Sequence, residues 1–147
     1  MKTEWEVVRS YYSAIDAGNI EKAGQFLSDD FKMLGTEPRT MDKEETLEII
    51  SNLKAGFPDL KYALSNIHAD HGVVTLTAQA GGRHTQPLDL SNLGMGLLPE
   101  SGKMIIFPPN QYEYTVASGK ITVERNITPT TAFTGMSGFL RELGVVE

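Results

Sequence analysis

The chain has 147 residues, a formal net charge of −6 and no cysteine. Because a nucleic-acid partner requires a basic protein face, this charge argues against DNA or RNA binding. The absence of cysteine excludes disulfides, thiolate metal sites and cysteine nucleophiles, and the lack of a long apolar run predicts a cytoplasmic protein without signal peptide or membrane span.

The first third of the chain predicts three helices. The first helix is indicated by apolar residues at three- and four-residue spacing, namely Trp5, Val8, Tyr12 and Ile15. Asn19 can cap a second helix that runs to Leu27. The third begins at Asp42, which can form a capping box with Glu45, and ends before Pro58 because proline cannot continue a helix.

After Pro58 the apolar period changes from 3.6 to 2, which predicts strands near 60–64, 74–80, 104–107, 111–116 and 119–128. A glycine-, proline- and serine-rich segment, residues 81–103, is predicted to be a long loop over a pocket. A turn at Ser118-Gly119 precedes the last strand, and residues 136–144 predict a short helix. The order of these elements, with helices first and strands afterwards, favours one α+β domain over residues 1–147. The helices are expected on one face of a curved antiparallel sheet.

Several segments occur in the order found in one known family: LSDDF, GFPDLKY, HGVVTLTAQAGGRHT, PESGKMI, YTVASGKI and GFLRELG. Together they resemble the SnoaL-like polyketide cyclases over nearly the whole chain. The resemblance implies the cone-shaped fold of the nuclear-transport-factor-2-like superfamily, with a largely apolar pocket inside the cone and frequent homodimers. We expect a small hydrophobic ligand, no cofactor and no metal.

The resemblance also identifies a missing group near the chain's end. In the cyclases of this family an aspartate near the end of the last strand acts as acid and base on the polyketide ester. Matching the shared GKI motif places Pro129 at that position, and Arg125 where those proteins usually carry tryptophan. A positioned acid or base contributes about 10²–10⁴ of rate, so we expect no ester cyclisation of the family type.

Three residues are candidate catalytic groups. His84 shares the apolar phase of its strand and is predicted to point into the cone as a base or donor, unless it only packs at the strand end. Arg125 falls on the apolar phase of the last strand, so it needs an anionic ligand or an acid such as Asp59 or Glu113. Tyr112 could orient a carbonyl group.

Further pocket residues are predicted from helix and strand phase, although the aromatic ones could instead serve only as core and Asn110 could lie in a bulge. They are Trp5, Tyr12, Ala78, Ala80, Asn110 and Tyr114. The HADH segment, which contains His68, Asp70 and His71, is expected to form a solvated turn, since this spacing is no metal signature.

Three functions remain open. The first is a domain that binds a small hydrophobic or polyketide-like molecule without catalysis. The second is a lyase, isomerase or cyclase that acts on a cyclic carbonyl compound through His84 with Tyr112 or Arg125. The third is a non-catalytic dimeric interaction module with a filled cone, which a cavity of several hundred cubic ångströms would exclude. A dimer is expected on an outer sheet face formed by Thr75, Thr77, Gln79, Thr122, Glu124 and Asn126.

Overall fold

The computed structural model describes residues 3–35, 40–91 and 96–128, and within them three helices pack on a curled sheet. The helices are α1 (Glu4–Asp16), α2 (Ile20–Gly24) and α3 (Lys43–Gly56). The predicted caps are confirmed, because the Asn19 side chain accepts from the Lys22 amide and Asp42 forms the capping box with Glu45. Each cap satisfies amides that a helix start would otherwise leave unpaired.

The strands of the described residues form one large sheet and one small one. They are β1 (Leu27–Leu34), β2 (Met41–Asp42), β3 (Lys61–Asp70), β4 (Val73–Arg83), β5 (Leu88–Asp89), β6 (Leu97–Leu98), β7 (Met104–Ile106), β8 (Asn110–Ala117) and β9 (Lys120–Asn126). The large sheet has the order β2-β1-β9-β8-β4-β3, and β7 pairs with the end of β4 beyond β8. The α+β class is confirmed, but β1 and β9 run parallel, so the sheet is mixed.

Some predicted boundaries are wrong. The segment 81–103 is not one long loop, because its first residues extend β4 and β5 pairs with β6 within it. The second helix ends at Gly24, and the following residues already belong to β1. The β3–β4 turn lies at His71-Gly72, so His68 and Asp70 belong to β3 rather than to the turn. Pro129 and the predicted helix 136–144 lie outside the described residues.

The helices cover one face of the sheet. Helix α1 contacts β3, β4, β8 and β9, and its buried face joins the sheet in the main core. A second buried cluster lies at the C-terminal end of α3 and beside β7; its members are Phe57, Leu60, Leu88, Leu90, Ile105 and Phe107. Burial of each such side chain contributes about 1.5–3 kcal/mol. None of the described helices combines the length and apolar composition that crossing a bilayer requires.

A β-bulge in β9 changes which residues face the helices. Val116 lies opposite Ile121 and Thr115 lies opposite Val123, so Thr122 is an extra residue in β9. Because side chains alternate along a strand, one extra residue exchanges the two faces of everything that follows it. Glu124 is therefore buried under the helices together with Ile121.

The bulge makes two predictions wrong. Arg125 does not point into the cone: its side chain is 53% exposed, and its Nε atom lies 3.9 Å from Oε1 of Glu113 on the outer face. Glu113 was one of the two predicted acid partners, whereas Asp59 accepts a hydrogen bond from the Arg83 amide. Glu124, assigned by its phase to the outer face, lies inside.

This placement predicts the effect of substituting Arg125. An exposed ion pair of this length contributes about 0–1 kcal/mol, so Arg125→Met should change the free energy of unfolding by no more than about 1 kcal/mol. Urea denaturation of the wild type and the variant measures this, with Glu113→Gln as the control for the other half of the pair. A loss of about 2 kcal/mol or more would mean that Arg125 is buried.

Candidate functional site

A cavity lies between the helices and the sheet. Its volume is about 140 Å³, and it is partly open to solvent. An engineered cavity of about 150 Å³ holds a benzene molecule, so this one matches a single ring. It is smaller than the several hundred cubic ångströms that would exclude a filled cone. Its walls are mostly apolar and include Ile15, Met33, Ile49, Ile50, Leu53, Ala78, Ala80, Phe107 and Pro108.

Polar groups enter the cavity from both the helices and the sheet. They belong to Tyr11, Tyr12, Thr46, Tyr62, Asn110, Tyr112 and Glu124. Among the described residues that line the cavity, Glu124 is the one carboxylate, and none is a lysine, arginine or histidine. The cavity therefore holds a single acidic group that no basic side chain of its described wall can neutralise.

Burial dominates the chemistry of Glu124. The residue is 7% exposed, and removal of its carboxyl group from water raises its pKa from 4.5 to about 7. A hydrogen bond with the Tyr114 side chain acts in the opposite direction. A shift of this size corresponds to about 3 kcal/mol against the charged form. Glu124 can therefore hold or release a proton near neutral pH.

A shell of tyrosines surrounds this carboxyl group, formed by Tyr11, Tyr12, Tyr62, Tyr112 and Tyr114. Burial raises the pKa of each of them, and the charge of Glu124 raises it further. The hydroxyls of Tyr12 and Tyr114 are hydrogen-bonded to each other, and their rings meet edge to face at 6.0 Å. The shell thus supplies neutral hydroxyl groups that stay protonated at any physiological pH.

The structure brings together most of the predicted ligand-binding residues. Tyr12, Ala78, Ala80 and Asn110 line the cavity, as does the candidate catalytic residue Tyr112. Tyr114 lies behind Tyr12, to which it is hydrogen-bonded, and Trp5 packs against the main core. Their positions are therefore given by the structure, while their roles in binding stay predictions.

His84 lies elsewhere. It is 1% exposed, as its strand phase predicted, but it stacks on Phe57 in the second buried cluster at a centroid distance of 5.0 Å. Ala80 is the last β4 residue that lines the cavity, and four further residues carry the chain about 13 Å along. The expected pairing of His84 with Tyr112 inside the cone is therefore wrong.

The surroundings of His84 suit a neutral packing residue. Its Nδ1 atom accepts from the Ser101 amide at 3.3 Å and lies 3.2 Å from the Ser101 hydroxyl. Burial lowers its pKa, although Glu100 and the backbone of Gln86 favour the charged form. His84 is not part of a metal site, because the described residues contain no group of three or more His, Cys, Asp or Glu side chains that could hold a metal ion.

Four residues of the cavity were not predicted from the sequence: Tyr11, Thr46, Tyr62 and Glu124. A local signal existed for Tyr11, because it continues the buried stripe of Val8 and Ile15 on α1 at spacings of three and four. No local signal existed for Glu124, since its inward direction depends on a bulge that is visible only in the pairing of β8 with β9.

Comparisons with known proteins agree with this architecture. The family model described as SnoaL-like polyketide cyclase matches residues 6–132. AclR from Streptomyces galilaeus, a "putative hydroxylase", has a TM-score of 0.75 at 17% identity and covers 97% of this chain and 82% of its own. IdmH from Streptomyces antibioticus, a "putative polyketide cyclase", has a TM-score of 0.73 at 20% identity over 98% of this chain and 100% of its own.

A third similar structure is a "putative SnoaL-like polyketide cyclase" from Jannaschia sp. CCS1, with a TM-score of 0.68 at 21% identity over 91% of each chain. A search of curated protein sequences gives no significant match. At these identities the likeness to the solved structures shows the fold alone. Further structural neighbours include a cystatin-fold protein and a protein of the nuclear-transport-factor-2-like class, which confirms the predicted fold family.

The raised pKa of Glu124 predicts a specific pH dependence of stability. Its pKa in the folded protein, about 7, exceeds the value of about 4.3 expected when unfolded. Protonation of Glu124 therefore contributes favourably to the free energy of unfolding. This contribution is complete below about pH 4 and is lost as the pH rises through 7. Glu124→Gln should stabilise the protein more at pH 8 than at pH 4.5, by up to about 3 kcal/mol.

Urea denaturation at both pH values measures this difference. Glu48→Gln, which removes an exposed carboxylate from the middle of α3, is the matched control. Equal effects of the Glu124 substitution at the two pH values would contradict the buried placement of its carboxyl group.

Proposed function

Because the chain belongs to the SnoaL-like polyketide cyclase family, we propose that it is an acid/base enzyme acting on a small cyclic or polyketide-like carbonyl compound. The observation that carries the proposal is the Glu124 carboxyl group, buried in an apolar cavity with a pKa of about 7. A general base is most effective when its pKa lies near the working pH. Burial of the carboxyl group gives Glu124 this property.

The chemistry follows from the position of the carboxylate. Ionised Glu124 removes a proton from the carbon next to a carbonyl group, and the C–H electron pair moves toward the carbonyl oxygen to form an enolate. Return of the proton from Glu124 to another carbon gives an isomer. Attack of the enolate carbon on a second carbonyl carbon of the same molecule closes a ring instead: the first carbonyl re-forms, the π pair of the second moves to its oxygen, and that oxygen takes the proton back from Glu124. Both outcomes fall within the lyase, isomerase and cyclase classes, and the apolar walls limit competing reactions with water.

The cavity also restricts the substrate. A volume of about 140 Å³ accommodates roughly one six-membered ring, while the open side leaves room for a substituent. A carboxylate on the ligand would lie near Glu124 with no basic residue in the described wall to balance it. The substrate is therefore a neutral, largely apolar carbonyl compound.

The assignment takes up the lyase, isomerase or cyclase alternative left open by the sequence and keeps its reaction class, but it changes the residues. Tyr112 stays at the cavity wall, whereas His84 and Arg125 lie away from it and give up their proposed roles. Position 129, where the family aspartate would stand, lies outside the described residues. The expectation that the chain does not cyclise esters in the family's usual way stays a prediction.

A ligand-binding domain without catalysis is the competing proposal. It would use the same cavity, and the small volume alone does not distinguish it from an enzyme. Simple binding of an apolar molecule, however, gains nothing from an acid whose ionisation costs about 3 kcal/mol, since glutamine would fill the same space. The cavity of about 140 Å³ is smaller than the several hundred cubic ångströms that would exclude an interaction module with a filled cone, so that alternative stays open.

Exchange of protons with solvent deuterium tests the enzyme proposal directly. We expect the wild type to accelerate deuterium uptake at the carbon next to the carbonyl group of acetophenone or cyclohexanone, followed by NMR. The rate should rise with pH through about 7, where Glu124 ionises. Glu124→Gln should lower the catalysed rate by about 10²–10⁴.

The exposed Glu48→Gln variant serves as the control and should exchange both ketones at the wild-type rate. Exchange that survives unchanged in Glu124→Gln would remove Glu124 from the reaction. Binding of the ketones without any catalysed exchange would favour the non-catalytic domain.

A further inference from the structure

Tyr114 faces the buried carboxyl group from the neighbouring strand. The register of β8 with β9 places Tyr114 directly opposite Glu124. Residues opposite each other in an antiparallel pair have Cβ atoms about 4.5–5.5 Å apart, and their side chains lie on the same face of the sheet. Both side chains are buried on the face that the helices cover, with Tyr114 at 0% and Glu124 at 7% exposure. The pairing of the two strands therefore makes these side chains neighbours.

The β-bulge is the reason that these two residues meet. With regular pairing along both strands, the residue opposite Tyr114 would be Val123 rather than Glu124. The extra residue at Thr122 moves the rest of β9 by one position against β8, so Glu124 takes that place. The irregularity that turns the acid inward thus also sets it beside a hydroxyl group.

The hydroxyl of Tyr114 takes part in two hydrogen bonds. One joins it to the Tyr12 hydroxyl, and the other joins it to the Glu124 carboxyl group. A hydroxyl group has one proton to donate and lone pairs that accept, whereas an ionised carboxylate only accepts. When Glu124 is ionised, Tyr114 must therefore donate to it and accept from Tyr12. The count of protons gives the chain one direction, from Tyr12 through Tyr114 to the carboxylate.

The hydrogen bond from Tyr114 opposes the effect of burial on Glu124. Removal of the carboxyl group from water raises its pKa to about 7, and the bond with Tyr114 acts in the opposite direction. The cavity residues of α3 and β1 in the described wall carry no titratable group. The other titratable groups that face Glu124 are tyrosines of α1, β3 and β8, namely Tyr11, Tyr12, Tyr62 and Tyr112. Among the described residues, Tyr114 is thus the group that favours the charged carboxylate.

We propose that Tyr114 is a positioning residue for the Glu124 base, whose hydroxyl donates a hydrogen bond to the ionised carboxylate and is itself held by the Tyr12 hydroxyl. The inference rests on the proposed function and deepens it. Tyr114 is fully buried and does not line the cavity, so its bond leaves other lone pairs of the carboxylate for the substrate proton. Tyr114 keeps its own proton throughout, because the proton from the substrate carbon goes to Glu124 and returns from there.

Replacement of Tyr114 by phenylalanine removes the donor and keeps the ring. NMR of protein carrying ¹³C at the glutamate side-chain carboxyl carbons follows the titration of Glu124. We expect Tyr114→Phe to raise the midpoint of this titration by about one to two pH units, because a hydrogen bond to a charged group is lost. Tyr11→Phe is the matched control and should leave the midpoint near that of the wild type. It removes a buried hydroxyl of the same tyrosine shell that has no partner among the described residues.

Replacement of Tyr12 tests the direction of the chain. If Tyr12 donates to Tyr114, Tyr12→Phe leaves the bond from Tyr114 to Glu124 in place, and the Glu124 midpoint should not fall. If Tyr114 instead donated to Tyr12, the substitution would release the Tyr114 proton for the carboxylate. The midpoint would then fall by about one pH unit or more. This variant also keeps the proposal testable if Tyr114→Phe does not fold.

The pH profile of the deuterium exchange assay distinguishes an effect on the base from structural damage. With Tyr114→Phe, the midpoint of the rate should rise together with the NMR midpoint. The rate at pH 7 should then fall about five- to fiftyfold, because a smaller fraction of Glu124 is ionised. At high pH the rate should return to the wild-type plateau or exceed it, since a base with a higher pKa is no weaker once it is ionised.

The outcomes separate the two proposals. A Glu124 midpoint that does not rise in Tyr114→Phe, or that falls in Tyr12→Phe, would overturn the role of Tyr114 and leave the enzyme proposal standing. An equal rise in Tyr11→Phe would overturn it as well, as would a lower plateau with an unchanged midpoint, which marks a purely structural role. A midpoint that rises in Tyr114→Phe, when the wild type catalyses no exchange, would support the hydrogen bond to Glu124 and overturn the enzyme proposal.

Discussion

The burial of one carboxyl group in an apolar cavity is the constraint on which the rest of the site depends. Keeping Glu124 away from water raises its pKa to about 7, at a cost of about 3 kcal/mol when it is charged. A domain of this size has a total stability of about 5–15 kcal/mol, so the cost is a substantial part of it. A hydrogen bond with the Tyr114 side chain reduces it, and the described cavity wall supplies no opposite charge. A site built in this way suits a group that must exchange a proton.

The position of that carboxyl group is decided by a single irregularity in the sheet. With regular alternation after Ile121, Glu124 would lie on the outer face and Arg125 would lie inside. The extra residue at Thr122 exchanges the two positions. The Glu124 carboxyl group therefore enters the cavity, and Arg125 lies beside Glu113 on the outer face. Bulges re-aim side chains at functional sites in many sheets, and here the bulge determines which charge the cavity holds.

Features that depend on neighbouring residues could be predicted from the sequence, whereas features that depend on the pairing of distant strands could not. The helix caps at Asn19 and Asp42 and the turn at Ser118-Gly119 were predicted correctly, because each depends on a few neighbouring residues. The fold class followed from the apolar periods and the family resemblance. Which titratable side chain faces the cavity was not predicted, because the direction of Glu124 depends on pairing between two strands and the position of His84 depends on where β4 leaves the cavity. Neither is encoded in the local pattern of the chain.

A direct titration of Glu124 tests the central claim of this account. Protein carrying ¹³C at the glutamate side-chain carboxyl carbons gives one NMR resonance for each glutamate, and the Glu124→Gln spectrum identifies the signal that belongs to position 124. We predict that this signal titrates with a midpoint near pH 7. A glutamate in water is expected to titrate at about 4.3. A midpoint near that value would show that the carboxyl group is solvated and would contradict the proposed site.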